Sequence, residues 1–248
     1  MEVDYMPFLF VEDSISCGNK IYITPSQSHY LKNVLKRRNG RVIIFNGVDG
    51  AWEADVCDLQ EKNPFIEVCS QVLVQPEKFH RIELFFSPIK RNGFLFEKAA
   101  ELGVTDFHPV VFSRSVVRSF CAERSERIII EACEQSGRIS VPALHEAVSF
   151  DCFVDKCKKS AAVILFCEFA GGKRIYSVLE ERVASYSLDD RISIWCIVGP
   201  EGGYSEYERR LVASCEHVSQ VCLCDSVLRA ETAALCAVSV VKNFLIQQ

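Results

Sequence analysis

Two hydrophobic patterns divide the chain. Between residues 8 and 74 the apolar side chains come in short runs separated by turn residues. Phe8–Val11, Lys20–Ile23, Arg41–Phe45, Ala51–Cys57 and Phe65–Val74 read as strands, rich in β-branched and aromatic residues. Asn46-Gly47 and Asp49-Gly50 stand between the third and fourth runs. They predict a hairpin, because these residue types accept the left-handed backbone that tight β-turns need. One helix, about Gln27 to Arg37, is embedded among the strands. This segment reads as a small, mostly β, barrel-like module, and Gln75-Pro76-Glu77-Lys78 as the linker that follows it.

From residue 81 apolar runs alternate with helical spacing. The runs are Ile82–Phe86, Phe107–Phe112, Ala161–Cys167, Ile192–Val198 and Val218–Cys224. Leu95, Ala99 and Leu102 make one helical stripe, closed by Gly103. Ile129, Ala132, Cys133 and Ser136 make a second, closed by Gly137, and Ala234, Val238, Val241 and Leu245 a third. Such alternation predicts a mostly parallel sheet covered by helices, with ligands beyond the carboxyl ends of its strands. The expected domains are 1–75 and 76–248.

Composition narrows the class. A chain of 248 residues with 49% hydrophobic content can bury two real cores. No apolar run reaches the ~20 residues that cross a bilayer, and Met1-Glu2-Val3-Asp4 is acidic where a signal peptide is basic. A soluble, cytoplasmic protein is expected, with no membrane partner. The 13 cysteines stand mostly singly inside apolar runs (Cys69, Cys133, Cys167, Cys196, Cys236), where cysteine behaves as a small hydrophobe. Without a C-x-x-C pair, no metal site is expected.

A net charge of −5 argues against indiscriminate polyanion binding, but not against a local patch. From Ser14 to Val48 there is no acid, while Lys20, Lys32, Lys36, Arg37, Arg38 and Arg41 all fall inside. The stretch is either a solvated face or a polyanion surface, and its length favours the surface.

Candidate chemistry gathers in two loops. Val198 is followed at once by Gly199-Pro200-Glu201-Gly202-Gly203, and Ser205 with Glu208 then forms a capping box that starts a helix. The loop is neither G-x-G-x-x-G nor a P-loop, so ordinary dinucleotide and NTP sites are excluded. Its glycines either turn a tight corner or admit a ligand against the backbone. The second loop, Leu228-Arg229-Ala230-Glu231-Thr232-Ala233-Ala234, puts an arginine, a carboxylate and a hydroxyl at another strand end. Arg229 and Glu231 either pair with each other or face a ligand. Two polar strand-end loops in one sheet make a crevice.

Four segments in this order carry a resemblance. They are Lys98-Ala99-Ala100-Glu101-Leu102-Gly103-Val104, Glu131-Ala132-Cys133-Glu134-Gln135-Ser136-Gly137-Arg138, Gly199-Pro200-Glu201-Gly202-Gly203-Tyr204 and Leu228-Arg229-Ala230-Glu231-Thr232-Ala233. Arg114-Ser115-Val116-Val117 fits as well, as do His29-Tyr30-Leu31 and Val34-Leu35. The chain resembles the SPOUT-superfamily methyltransferases that act on N3 of a uridine in 16S ribosomal RNA.

The resemblance implies an α/β fold: a SPOUT-type C-terminal domain with a deep trefoil knot, and a small N-terminal PUA-like β-barrel that binds RNA. It implies a homodimer, S-adenosyl-L-methionine as cofactor, and 16S rRNA or the small ribosomal subunit as partner. The cofactor would meet Val198, Gly199, Pro200, Gly202 and Gly203 in the first loop, where a side chain on Gly202 or Gly203 would strike its ring or forbid the turn. It would meet Leu223, Val227, Leu228, Arg229, Thr232 and Ala233 in the second, with Phe166 and Glu168 beside them. Arg229 and Glu231 are the implied catalytic pair. Lys32, Lys36, Arg37, Arg38, Arg41 and Arg114 are the implied RNA contacts. The chain departs from the pattern at Cys224 (a glycine in the family), at Ser226 (a cation) and at Met6-Pro7-Phe8, where an arginine is common. A methyltransferase of another RNA, or a non-catalytic RNA-binding ribosome-assembly protein, is the alternative.

Overall fold

The computed structural model describes residues 6–36, 40–76, 80–168, 171–184, 186 and 190–247. The chain forms two compact units, Met1–Glu77 with Ile130–Val141, and Lys78–Ile129 with Pro142–Gln248.

In the first unit, strands β1 (Phe8–Phe10), β2 (Lys20–Tyr22), β3 (Gly40–Phe45), β4 (Ala51–Cys57) and β5 (Phe65–Leu73) form one sheet in the order β1-β3-β4-β5-β2. The predicted hairpin is there, with Phe45 opposite Ala51. Leu9, Leu31, Val42, Ile44, Ala54 and Ile66 fill the core. Helix α1 (Pro25–His29) starts earlier than the apolar spacing suggested, because Thr24 and Gln27 cap each other's backbone N–H and Pro25 follows the cap. It then widens into a π-turn over Tyr30–Val34. Arg37, its expected end, lies outside the described residues.

The stretch Ile130–Val141, expected in the second domain, packs within this first unit. Phe10 N–H donates to Glu134 Oε1 at 2.9 Å, and Phe8, Ile43, Phe45 and Cys133 close a second small core. Burial pushes the Glu134 carboxyl up to about 6, against the pull of that hydrogen bond. The Glu131–Arg138 motif therefore acts here as a structural pin.

In the second unit, β6 (Arg81–Phe86), β7 (Asp106–Val111), β8 (Ala143–Leu144), β9 (Val148–Ser149), β10 (Val163–Cys167), β11 (Lys173–Arg174), β12 (Ser193–Val198) and β13 (Val218–Cys222) pair in parallel. The order is β11-β13-β10-β12-β6-β7-β8, with β9 also on β7. Helices α2 (Asn92–Glu101), α3 (Ala122–Ser136), α4 (Phe150–Lys159), α5 (Ile175–Val183), α6 (Glu206–Ala213) and α7 (Ala230–Ile246) complete the chain. The central strands are buried almost throughout, as the unbroken apolar runs require of a sheet covered on both faces. Helix α4, absent from the expected set, buries Phe150, Phe153, Val154 and Cys157 at helical spacing and is capped by Ser149.

Towards the amino ends of β6, β7 and β12 lies a closed polar cluster. His108 Nε2 bonds Glu83 Oε2 at 2.9 Å, Ser193 Oγ donates to Glu83 Oε1 at 2.7 Å, and His145 Nε2 bonds Asp106 Oδ1 at 2.9 Å. Arg81 reaches Asp106 at 2.8 Å and Glu83 at 3.5 Å. The two imidazoles stack at 4.0 Å, and Phe85 covers the other face of His108 at 4.3 Å. Asp106, His108 and His145 bring ligand-capable atoms within 4.8 Å of one another, but each already has a hydrogen-bond partner and Arg81 supplies the cation. Burial raises the Glu83 carboxyl, yet the His108 and Ser193 hydrogen bonds and the Arg81 charge outweigh it and hold it below its usual value. Burial lowers His108 below the ordinary imidazole value despite that same bond.

Among the described residues the cysteines are all free thiols. Burial drives Cys133 up to about 11 and Cys157 and Cys196 to about 12, so these are inert core residues. Among the described residues no helix is long and apolar enough to cross a membrane.

Candidate active site

The carboxyl ends of β10, β12 and β13 frame an open cleft of about 270 Å³. Three segments line it: Cys167–Glu168 after β10, Val198–Glu201 with Gly203 and Tyr204 after β12, and Leu223–Cys224 with Ser226–Leu228 after β13. Arg209, Ala230 and Ala233 complete the lining. The walls are chiefly apolar side chains and backbone.

The glycines have separate reasons. A Cβ on Gly199 would come within 2.6 Å of the Tyr204 ring, so that position is held by packing. Gly202 faces Arg114, whose Cβ would be 3.2 Å from the added carbon. Gly203 alone needs its backbone freedom, at φ +68°, and a Cβ there would meet nothing within 4 Å. In the protein itself, the space left by the Gly202 side chain is taken by Arg114.

Buried polar groups fix this loop. Tyr204, 2% exposed, donates its hydroxyl towards the carbonyls of Cys167 (3.3 Å) and Ile197 (3.2 Å), and its ring packs on Phe166 at 4.2 Å. Glu208, 1% exposed, accepts from Ser205 N–H at 2.6 Å and from Ser113 N–H at 2.7 Å. The capping carboxylate thus also ties the end of β7 to the start of α6. Arg114 Nη1 donates to the Gly202 carbonyl at 3.0 Å. Ser115 Oγ meets Ser87 Oγ at 2.8 Å, joining the loops after β6 and β7. Glu168 is clamped by Arg209 at 2.5 Å and receives Gln220 Nε2 at 3.2 Å.

At the mouth, Arg229 is the N-cap residue of α7, exposed, and it forms no ion pair among the described residues. Glu231 lies in the first turn, 7% exposed, and its partner is Arg91, at 3.7 Å. Arg91 comes from the loop after β6 and lies over the Phe94 ring at 5.4 Å. The pairing of Glu231 with Arg229 that adjacency suggested does not form.

Residues 75–242 match the RNA methyltransferase domain family. The chain belongs to that family. It is 30% identical over 238 residues to the ribosomal RNA small subunit methyltransferase E of Rickettsia conorii, covering 94% of both chains. With the Bacillus subtilis protein of the same name it shares 28% identity, covering 88% of each. Among solved structures, a Neisseria gonorrhoeae ribosomal RNA small subunit methyltransferase E bound to S-adenosyl methionine superposes with a TM-score of 0.79. That pair shares 25% identity over 97% of this chain and 98% of the other. A Legionella pneumophila methyltransferase with bound S-adenosyl methionine gives 0.78 at 26% identity, over 97% and 98%.

Of the residues expected at the cofactor in this family member, Glu168, Val198, Gly199, Pro200, Gly203, Leu223, Val227, Leu228 and Ala233 line the cleft. Phe166, Gly202, Arg229 and Thr232 stand outside that lining: Phe166 under Tyr204, Gly202 against Arg114, Arg229 and Thr232 on the exposed start of α7. Cys224 and Ser226, the two departures from the family pattern, are on the wall itself. Arg91, Tyr204 and Arg209 went unforeseen. Tyr204 stood in the quoted motif, whereas nothing local marks Arg91 as the partner of a residue 140 positions on.

The expected RNA contacts scatter. Arg37 and Arg38 lie outside the described residues. Arg41 is bound by Glu53 at 2.9 Å and Asp55 at 3.3 Å, because β4 runs antiparallel beside β3 and turns its acids to the same face. The acid-free stretch is therefore not acid-free in space. Lys32 lines a groove with Tyr22, His29, Glu61 and Lys62, and Lys36 is exposed with φ +52°. Arg114 is exposed and serves the glycine loop.

Proposed function

We propose that this protein is an S-adenosyl-methionine-dependent methyltransferase of small-subunit ribosomal RNA, acting on N3 of a uridine in 16S rRNA. The observation that carries the reading is the apolar cleft at the carboxyl ends of β10, β12 and β13, in a family whose solved members cited above hold that cofactor. The residues present fit it. Leu223, Val227, Leu228 and Ala233 offer an apolar wall for an adenine ring, and above Gly203 the space a side chain would fill is open. The loops Gly199–Gly203 and Leu223–Arg229 are the knot loops in this reading, and residues 1–75 are a PUA-like RNA-binding module. The protein works in the cytoplasm as a homodimer.

When bound, the cofactor supplies a methyl group on a sulfonium as the electrophile. The chain's task is to align the uracil and favour its ionised form, since N3 carries a proton and is a poor nucleophile until that proton leaves to solvent. Arg229, exposed and without an ion pair among the described residues, donates to a carbonyl oxygen flanking N3 and so stabilises the imide anion. Glu231 acts through Arg91, fixing the start of α7 that carries Arg229. Its carboxylate is buried and faces a guanidinium, so it holds this helix start rather than accepting the N3 proton.

Calorimetric titration with S-adenosyl-methionine, NAD and ATP tests the cleft, with binding expected for the first alone. Mass-spectrometric mapping of 16S rRNA from a deletion strain, with and without the restored gene, tests the reaction. One uridine should gain a methyl group at N3 only when the gene is present, and an unchanged RNA would overturn the assignment.

A further inference from the structure

We infer that a second crevice, between the loops after β6 and β7, holds a phosphate of the substrate RNA's backbone. The inference rests on the RNA-methyltransferase reading and adds a residue-level site to it. The crevice, about 290 Å³, is lined by Ile89, Lys90, Asn92, Ser119, Phe120 and Arg124, among others. It opens at the carboxyl ends of β6 and β7, the end of the sheet that also carries the cofactor cleft. Arg114 and Ser115, on the loop after β7, tie that end together through the Gly202 carbonyl and Ser87.

Charge points to a polyanion. Ser87–Gly93 and Phe112–Cys121 contain Lys90, Arg91, Arg114 and Arg118 and no Asp or Glu. Arg124 adds a fifth cation from the first turn of α3. Lys90, Arg118 and Arg124 are exposed and make no ion pair among the described residues, unlike Arg41 in the first unit. In a chain of net charge −5, two unmatched cations lining one cavity, Lys90 and Arg124, with a third, Arg118, on the loop beside it, are a local exception.

An amide donor on a mostly buried side chain adds shape to the charge. Asn92 is only 8% exposed, and its Oδ1 accepts from the Ile89 N–H at 2.9 Å. That bond assigns the amide orientation and leaves Nδ2, with two hydrogens, without a partner among the described residues at the crevice wall. Two cations, an amide donor and the Ser119 hydroxyl make a set that a phosphate oxygen satisfies and a neutral base edge does not. The site would fix the RNA's register while the base reaches Arg229.

The test uses the full-length protein, a 16S rRNA transcript, and binding measured across a salt series. Lys90→Ala with Arg124→Ala should weaken RNA binding roughly tenfold near physiological salt and flatten the log–log salt slope by about 0.7–0.9 for each lost phosphate contact. Asn92→Asp keeps the Oδ1 acceptor and adds a negative charge, and should weaken RNA further with little change in slope beyond one contact. Cofactor affinity by calorimetry and thermal stability should stay at wild-type values for the double variant, since both residues are exposed. Wild-type RNA affinity and slope in the double variant would overturn the inference. Failure of the wild-type protein to methylate the transcript would instead strike the functional reading, because RNA binding is measured apart from turnover.

Discussion

The two ends of the parallel sheet are built on opposite rules. At the amino end, Glu83, Asp106 and His108 are buried, with Phe85 over His108 and the more exposed Arg81 and His145 at the edge, and each has a partner inside the protein. At the carboxyl end β12 runs into glycines beside an open apolar cleft, and Lys90, Arg118, Arg124 and Arg229 are exposed and make no ion pair among the described residues. A closed polar cluster gains from low dielectric only when every member is satisfied, so it serves rigidity and register. Unmatched cations at an open edge contribute little to folding and are available to a ligand. Damage at one end should therefore cost stability with function intact in the surviving fold, and damage at the other should cost function with stability intact.

The largest expected effect is at the open end. Arg229→Ala should lower single-turnover methylation by 10²–10³, about 3–4 kcal/mol, with thermal stability within about 0.5 kcal/mol of wild type. Lysine at this position should restore part of the rate, since a point charge lacks the planar fork. Raising pH toward ionisation of the imide should narrow the gap between variant and wild type. A defect lying wholly in RNA affinity, with normal saturated turnover at every pH, would make Arg229 a phosphate clamp.

Nearly as large is the mirror case. Glu83→Ala leaves His108, Ser193 and Arg81 without their shared acceptor and should cost about 3 kcal/mol of stability, with a melting point lowered by roughly 6–12 °C. Calorimetric cofactor affinity of the folded variant should be unchanged. A cofactor defect at temperatures well below the melting point would show the two ends to be coupled.

Smaller effects sharpen the contrast within the glycine loop. Gly203 sits at φ +68°, so a β-branched residue is strained there by about 1–2 kcal/mol, while asparagine tolerates that backbone. Gly203→Val should lose cofactor binding and some stability. Gly203→Asn should keep the melting point and still lose cofactor binding, because its Cβ enters the open space. Full affinity in the asparagine variant would mean that no ligand approaches Gly203.

The smallest effect is the pH response of the closed end. His108 is held below its ordinary value by burial, so its neutral form belongs to the folded state. The stability it confers is complete above the unfolded value of ~6.5 and is lost as pH falls below it towards the lower folded value. Glu83 and Asp106 are held below their ordinary carboxylate values, so their contribution persists further and fades only in more acid solution. Thermal scans from pH 7.5 to 5 should show a gradual loss that His108→Gln flattens. A wild-type melting point that rises over this range would reverse the sign and refute the assignment.

Much of this contrast was legible along the chain, and the illegible part has a common cause. The runs Ile82–Phe86, Ile192–Val198 and Val218–Cys224 and the glycines after Val198 marked the sheet and its cleft, because burial on both faces demands continuous apolar stretches. The capping box at Ser205 and Glu208 was equally visible, although the second bond from Glu208, to Ser113 N–H, was not. Adjacency left Glu231 either paired with Arg229 or facing a ligand, and it faces Arg91; the acid-free stretch of the first unit meets Glu53 and Asp55 across a strand pair. The amino-end cluster left no local signature, since its members are single polar residues spread from Arg81 to Ser193.

What the sequence by itself determined is whatever depends on neighbours a few residues away. This covers strand and helix periods, the hairpin turn and the capping box at Ser205 and Glu208. Only the tertiary structure decided which charges are matched and which cavities are lined. Charge pairing and cavity walls depend on distances of 3–4 Å between residues tens of positions apart, set by strand order and register. A run of cations reads the same along a chain whether or not a neighbouring strand brings acids to it. Arg41 and Lys90 are both cations in acid-poor stretches, and the fold alone gives Glu53 to the first and leaves the second without an ion pair among the described residues.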